Sequence, residues 1–204
     1  MPQAHRLTAS HGSARVLGLM ERLVADSSLL FVVDVQERLA DAMPKESLEK
    51  LIKNTRLLLQ TSNLLGVPVL ASEQYPKGLG PTIAPILELL AQRGIAPIDK
   101  LDFDAASEPR ISSQIGRFAP RSIVLVGIET HICVFQTARE LVRRGHVVHV
   151  VSDAVTSRTE DNHAAGLRLS ERAGAVITVA EAVAFDWVGR AGTETFRAVS
   201  RLVR

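Results

Sequence analysis

The chain has 204 residues, of which 46% are hydrophobic and 23% charged, with a formal net charge of +2. This length allows one ordinary domain with a sizeable core, and the composition excludes a largely disordered chain. The small, scattered charge gives nucleic-acid binding no support, no apolar run approaches the roughly 18 residues of a membrane span, and a lone cysteine excludes an internal disulfide while leaving a reactive thiol open.

Residues 1–27 read as an N-terminal extension, with 28–204 forming the domain. The extension is rich in Ala, Ser, Arg and His and carries no acidic residue before Glu21. That composition loosely fits an organelle transit segment, and a short helix from Ala14 to Ala25 packed on the domain or on a neighbouring subunit is the structural alternative. It lacks the apolar stretch of a secretory signal, so a cytoplasmic location is expected. From Ser28 onward, short aliphatic runs alternate with longer helical ones, which predicts a three-layer α/β/α domain around a parallel sheet. The strand candidates are Leu29 to Val33, Val67 to Ala71, Ala96 to Asp99, Ser122 to Val126, Val147 to Val151 and Ala175 to Val179. Most are continuous apolar runs, as strands buried on both faces require. Helices are expected over Glu46 to Leu65, Thr82 to Gln92, Arg110 to Arg117, Ile132 to Arg144 and Glu160 to Ala173, with a further one from Thr193 to the end. Gly66, Gly94, Gly145 and Gly174 each follow a helical run, where a left-handed terminating residue is wanted. Ser157 and Glu160 read as a capping box.

In such a sheet, ligands bind outside the carboxyl ends of the strands, where strand order reverses. Strand one ends in Asp34, strand three runs into Lys100, and strand four leads through Glu129-Thr130-His131-Ile132 to Cys133 near a helix start. Singly, these residues could be a helix cap, a solvated loop lysine and an inert core cysteine. Together they set an acid, an ammonium and a thiol on one edge. A helix N-terminus and a nearby ammonium favour thiolate, and a carboxylate can shuttle the proton to a leaving group. His131 and Cys133 are two apart and point to different helix faces, so a local Cys–His dyad is not expected. His146, His149 and His163 lack metal-ligand spacing and read as strand flanks and a helix surface residue. There is no GxSxG elbow or phosphate loop, and Gly78-Leu79-Gly80 runs into Pro81 instead of completing a dinucleotide fingerprint.

The segments FVVDVQ at 31–36, Lys100 after a strand, and GIETHICVFQTA at 127–138 closely resemble the isochorismatase-like cysteine hydrolases, over about Ser28 to Ala184. The resemblance implies strand order 3-2-1-4-5-6 for a six-stranded sheet, a cis peptide between Ile128 and Glu129, and an oxyanion hole from the backbone N–H groups of Glu129 and Cys133. It also implies an Asp34-Lys100-Cys133 triad that hydrolyses a small-molecule amide or similar C–N bond through a thioester, and a homo-oligomer. A mean hydropathy of +0.13 agrees with surface buried between subunits. Gln36, Tyr75, Phe103, Thr130 and His131 are candidate substrate-binding residues. The segment SEQYPKGLG at 72–80 is similar to a less characterised branch of the family and departs from the Asp-x-His metal motif of nicotinamidases, so neither a metal nor another cofactor is expected. The reading from a different functional class is a catalytically silent binding or scaffold protein of the same fold.

Overall fold

The computed structural model describes residues 22–203. The expected N-terminal helix lies outside these except for its last four residues, of which Arg22 to Val24 are irregular and Ala25 opens a 3-10 turn, Ala25–Ser27. A six-stranded parallel sheet forms the centre, in the order β3-β2-β1-β4-β5-β6. Its strands are β1 (Ser28–Val33), β2 (Val69–Gln74), β3 (Ile98–Lys100), β4 (Ser122–Ile128), β5 (Val147–Thr156) and β6 (Val176–Thr178). The helices are α1 (Glu37–Asp41), α2 (Lys45–Leu65), α3 (Pro76–Leu79), α4 (Ala84–Ala91), α5 (Pro109–Phe118), α6 (Phe135–Arg143), α7 (Glu160–Arg172), α8 (Ala180–Val188) and α9 (Glu194–Leu202). Among the described residues no helix is long and apolar enough to cross a membrane.

The central strands are buried on both faces because their side chains alternate between two cores. Leu30, Val32, Val124 and Val126 join one core with α2, α4 and α8, while Leu29, Phe31, Val33, Ile123 and Leu125 join the other with α5 and α6. Each such side chain, taken from water, contributes about 1.5–3 kcal/mol, which explains why β1 and β4 tolerate no polar interruption before their ends.

Several boundaries differ from expectation for identifiable reasons. β2 and β3 begin two residues late, after Pro68 and Pro97, which have no N–H to give to a ladder. β5 was expected to stop at Val151. Its pairing with β4 instead shifts from Leu125↔Val150 to Gly127↔Val155, and the strand resumes to Thr156. The polar interruption is used: Asp153 Oδ1 accepts the Ala180 N–H at the start of α8. α8 itself was not expected, although Ala180, Val183, Ala184 and Trp187 are buried at helical spacing. The short helices α1 and α3 were also missed. α7 is capped by Thr159, whose Oγ1 accepts the Asn162 N–H at 3.2 Å, so the Ser157–Glu160 capping box does not form.

Candidate active site

The ends of β1 and β4 meet closely. Val33 pairs with Gly127, and a side chain at Gly127, whose φ is +134°, would run into the Val33 carbonyl oxygen. Immediately beyond, Asp34 turns out of β1 with φ +52°, a left-handed conformation that Asp tolerates better than most residues. On the neighbouring strand, β4 ends in a cis peptide between Ile128 and Glu129 and passes into a π-helical turn, Thr130–Val134, that carries Cys133 ahead of α6.

Lys100 arrives from β3, two strands away from β1, and its long side chain bridges the distance. Its Nζ lies 2.7 Å from Asp34 Oδ2, and both side chains are fully buried. The same nitrogen donates to Gln74 Oε1 at 2.6 Å and to the carbonyl oxygens of Asp102 at 3.1 Å and Phe103 at 3.4 Å. The other Asp34 oxygen accepts from Ser72 Oγ at 2.8 Å, while the Asp34 N–H donates to the Ser72 carbonyl. Register explains the contact, since Ser72 pairs with Val33 across β2 and β1. The carboxylate is thereby aimed and its charge compensated by the Lys100 ammonium.

Cys133 is buried and feels both charges. Its thiol pKa is pushed up to about 12, chiefly by burial and then by the negative charge of Asp34 and a hydrogen bond to it. The Lys100 ammonium and the backbone N–H of Glu129 pull the other way but do not prevail. The sequence expectation of a thiolate is therefore corrected. The helix-start and ammonium effects exist, but desolvation in the core exceeds them and favours the neutral thiol. A neutral thiol can act as a nucleophile once a neighbouring base takes its proton.

The turn that carries Cys133 is fastened by three consecutive side chains. Glu129 Oε2 accepts from the backbone N–H and the Nε of Arg158, both at 3.1 Å. Thr130 Oγ1 and His163 Nδ1 are 3.0 Å apart, as are His131 Nδ1 and Ser157 Oγ. His163, expected to be a helix surface residue, is thus half-buried and engaged, and burial lowers its pKa. Gly166 of α7 lies directly against the backbone of Thr130 and His131.

Of the candidate substrate residues, Gln36 has no free amide group. Its Nε2 donates to the carbonyls of Gln74 and Gly80, its Oε1 accepts the Gln74 N–H, and it is fully buried. It clamps the β2 end instead of lining a pocket. Thr130 is likewise buried and tied to His163, and His131 is held by Ser157. Tyr75 and Phe103 are about half-exposed, at 52% and 54%, on loops whose backbones touch Lys100: the Tyr75 N–H donates to the Lys100 carbonyl. Glu73 is committed to Thr82, whose N–H and Oγ1 reach Glu73 Oε1 at 2.6 and 2.7 Å. Among the described residues no group of three His, Cys, Asp or Glu side chains could hold a metal ion. Ser72, Gln74, His163 and Gly166 were missed. The register that brings Ser72 beside Asp34 was the one signal available, and it depends on the strand order.

Comparison with known proteins gives the family and the fold. The family model described as the isochorismatase domain matches residues 28–182. A protein named secreted isochorismatase effector Isc1, from Phytophthora sojae, is 36% identical over 186 residues, covering 90% of this chain and 87% of its own. Isochorismatase domain-containing protein 2 of Bos taurus is 35% identical over 184 residues, covering 90% and 86%. Among solved structures, one described as MAR1 ribonuclease from Caenorhabditis elegans superposes with a TM-score of 0.83 at 35% identity, covering 90% of this chain and 92% of its own.

Proposed function

The chain belongs to the isochorismatase domain family, whose members are generally hydrolases, and from that premise we propose that it cleaves a small-molecule amide or similar C–N bond through a thioester on Cys133. The observation that carries this reading is the meeting of the buried thiol with the fully buried Asp34–Lys100 pair.

In the proposed reaction, Cys133 Sγ attacks the substrate carbonyl carbon while its proton passes to Asp34. The carbonyl oxygen takes the negative charge and is received by the backbone N–H groups of Glu129 and Cys133. Donors of this kind are worth about 100- to 1000-fold in rate each. Asp34 returns the proton to the leaving nitrogen, the C–N bond breaks, and an amine departs from a thioester. Water, deprotonated by Asp34, then attacks the thioester and releases a carboxylic acid and the thiol. Lys100 remains an ammonium throughout, orienting Asp34 and offsetting its charge. No step requires a metal or cofactor. We also infer a homo-oligomer, supported by apolar side chains left at the surface such as Leu64, 49% exposed.

The test is a panel of small amides, ureas and carbamoyl compounds offered to the wild type and to Cys133→Ala, with RNA included because of the name borne by the worm relative. Turnover by the wild type and background rates in the variant are expected. Equal turnover by both proteins overturns the thiol mechanism. Turnover by neither, across the whole panel, favours the silent scaffold.

A further inference from the structure

We propose that Gln74 is a positioning residue that fixes the Lys100 ammonium against Asp34 and Cys133. The inference rests on the Asp34-Lys100-Cys133 reading and adds to it a side chain that touches no reacting atom.

Lysine is a flexible point charge with three protons and no built-in direction. To hold it in one place, three acceptors must surround it. Here Asp34 supplies one at 2.7 Å, the carbonyls of Asp102 and Phe103 cover another direction at 3.1 and 3.4 Å, and Gln74 Oε1 supplies the shortest contact, at 2.6 Å. Gln74 is itself held at every polar atom. Its side-chain Nε2 donates to the Leu101 carbonyl at 2.7 Å, which fixes which end of the carboxamide faces Lys100. Its backbone N–H donates to Gln36 Oε1 and its carbonyl accepts from Gln36 Nε2. Gln36 follows Asp34 by two residues and immediately precedes α1, so the clamp ties the base's own loop to the end of β2. Gln74 pairs with Lys100 in the β2–β3 register, which places the carboxamide on the same edge as the amine.

The choice of amide over acid also matters. An acceptor is needed, but a second carboxylate would give the buried cluster a net negative charge beside a thiol that must ionise on attack. A neutral carboxamide supplies the oxygen without the charge, and its nitrogen secures the 101–103 loop whose carbonyls complete the cradle.

Two variants separate positioning from bulk structure. Gln74→Met keeps the volume and removes both amide contacts, freeing the ammonium. Gln74→Glu keeps the oxygen toward Lys100, adds a charge and loses the donor to Leu101. In both, kcat on a substrate found in the panel should fall roughly 10- to 100-fold, with KM within about twofold, because a misplaced electrostatic group is felt in the transition state. The rate of Cys133 alkylation by iodoacetamide, measured from neutral pH to pH 10, should fall about threefold or more at each pH in both variants. Circular dichroism and thermal melting establish that each variant is folded. If a folded Gln74→Met superposes on the wild type in both its alkylation profile and its kcat, the proposal is overturned. The alkylation arm needs no substrate, so it judges Gln74 even if the amide panel fails.

Discussion

Substituting Gly166 by Ala tests whether α7 sets the position of the Cys133 turn. A methyl group on Gly166 would stand 2.6 Å from the backbone nitrogen of His131 and the carbonyl carbon of Thr130, and 2.7 Å from the His131 Cα. Ordinary contact begins near 3.4 Å, so α7 and the turn must separate by the 0.8 Å difference. All three atoms are backbone, and no side-chain rotation relieves the clash. Alanine favours the helix by about 1 kcal/mol, whereas overpacking of this kind costs about 1–3 kcal/mol. The net loss of stability should therefore be modest, up to about 2 kcal/mol, or a drop in melting temperature of no more than roughly 8 °C for a chain this size. Activity should suffer far more, because a displacement near 1 Å at a reacting group costs about 100-fold. The assay pairs thermal melting with kcat/KM on the best substrate of the panel. A variant that melts a few degrees lower yet keeps wild-type kcat/KM would refute the reasoning, since it would mean that α7 yields and the Cys133 turn does not depend on it.

Lys100→Ala strands a buried carboxylate, which should destabilise the protein by about 3–5 kcal/mol and slow Cys133 alkylation at every pH, its midpoint moving upward; an unchanged alkylation profile removes Lys100 from the site. The thiol also gives the fold a pH dependence. Its folded pKa of about 12 exceeds the ordinary 9.0, so the unfolded chain releases this proton first as pH rises. The stability tied to the neutral thiol is full below pH 9 and is lost toward pH 12, at up to about 1.4 kcal/mol per pH unit. Denaturant titrations of wild type and Cys133→Ala at pH 8 and pH 10.5 should show the wild type losing more stability than the variant; equal losses would contradict the burial effect. Prolonged EDTA or phenanthroline treatment should leave activity intact, and activity lost to the chelator and restored by zinc or iron would overturn the mechanism.

The parallel sheet was legible because it depends on a chain-wide pattern: apolar runs at strand length, helical runs between them, glycines at helix ends such as Gly66, φ +70°; its order came only from the resemblance carried by residues 31–36, Lys100 and 127–138. Asp34, Lys100 and Cys133 were legible because strand ends in a parallel sheet converge on one edge. The partners of these residues were not. Ser72 and Gln74 look like any polar residues leaving a strand until register sets them against Asp34 and Lys100. Gln36 and Thr130 lie near Asp34 and Cys133 in sequence and read as pocket walls, yet both spend their polar atoms inside the protein. His163 seemed a surface residue since nothing in its own helix shows that α7 lies against the cysteine turn. The thiol's ionisation failed for a related reason: a helix start and a lysine can be read from sequence, whereas the depth of burial that outweighs them cannot.

The most direct test of the account is to catch the acyl group on the sulfur. A substrate from the panel is mixed with the enzyme, quenched in acid within milliseconds to seconds, and the intact protein is weighed and its peptides mapped. The account predicts a mass increase equal to the substrate's acyl fragment, located on Cys133, released by hydroxylamine and absent from Cys133→Ala. Turnover of the same substrate by a wild type that carries no such adduct at any quench time, together with undiminished turnover by Cys133→Ala, would contradict it.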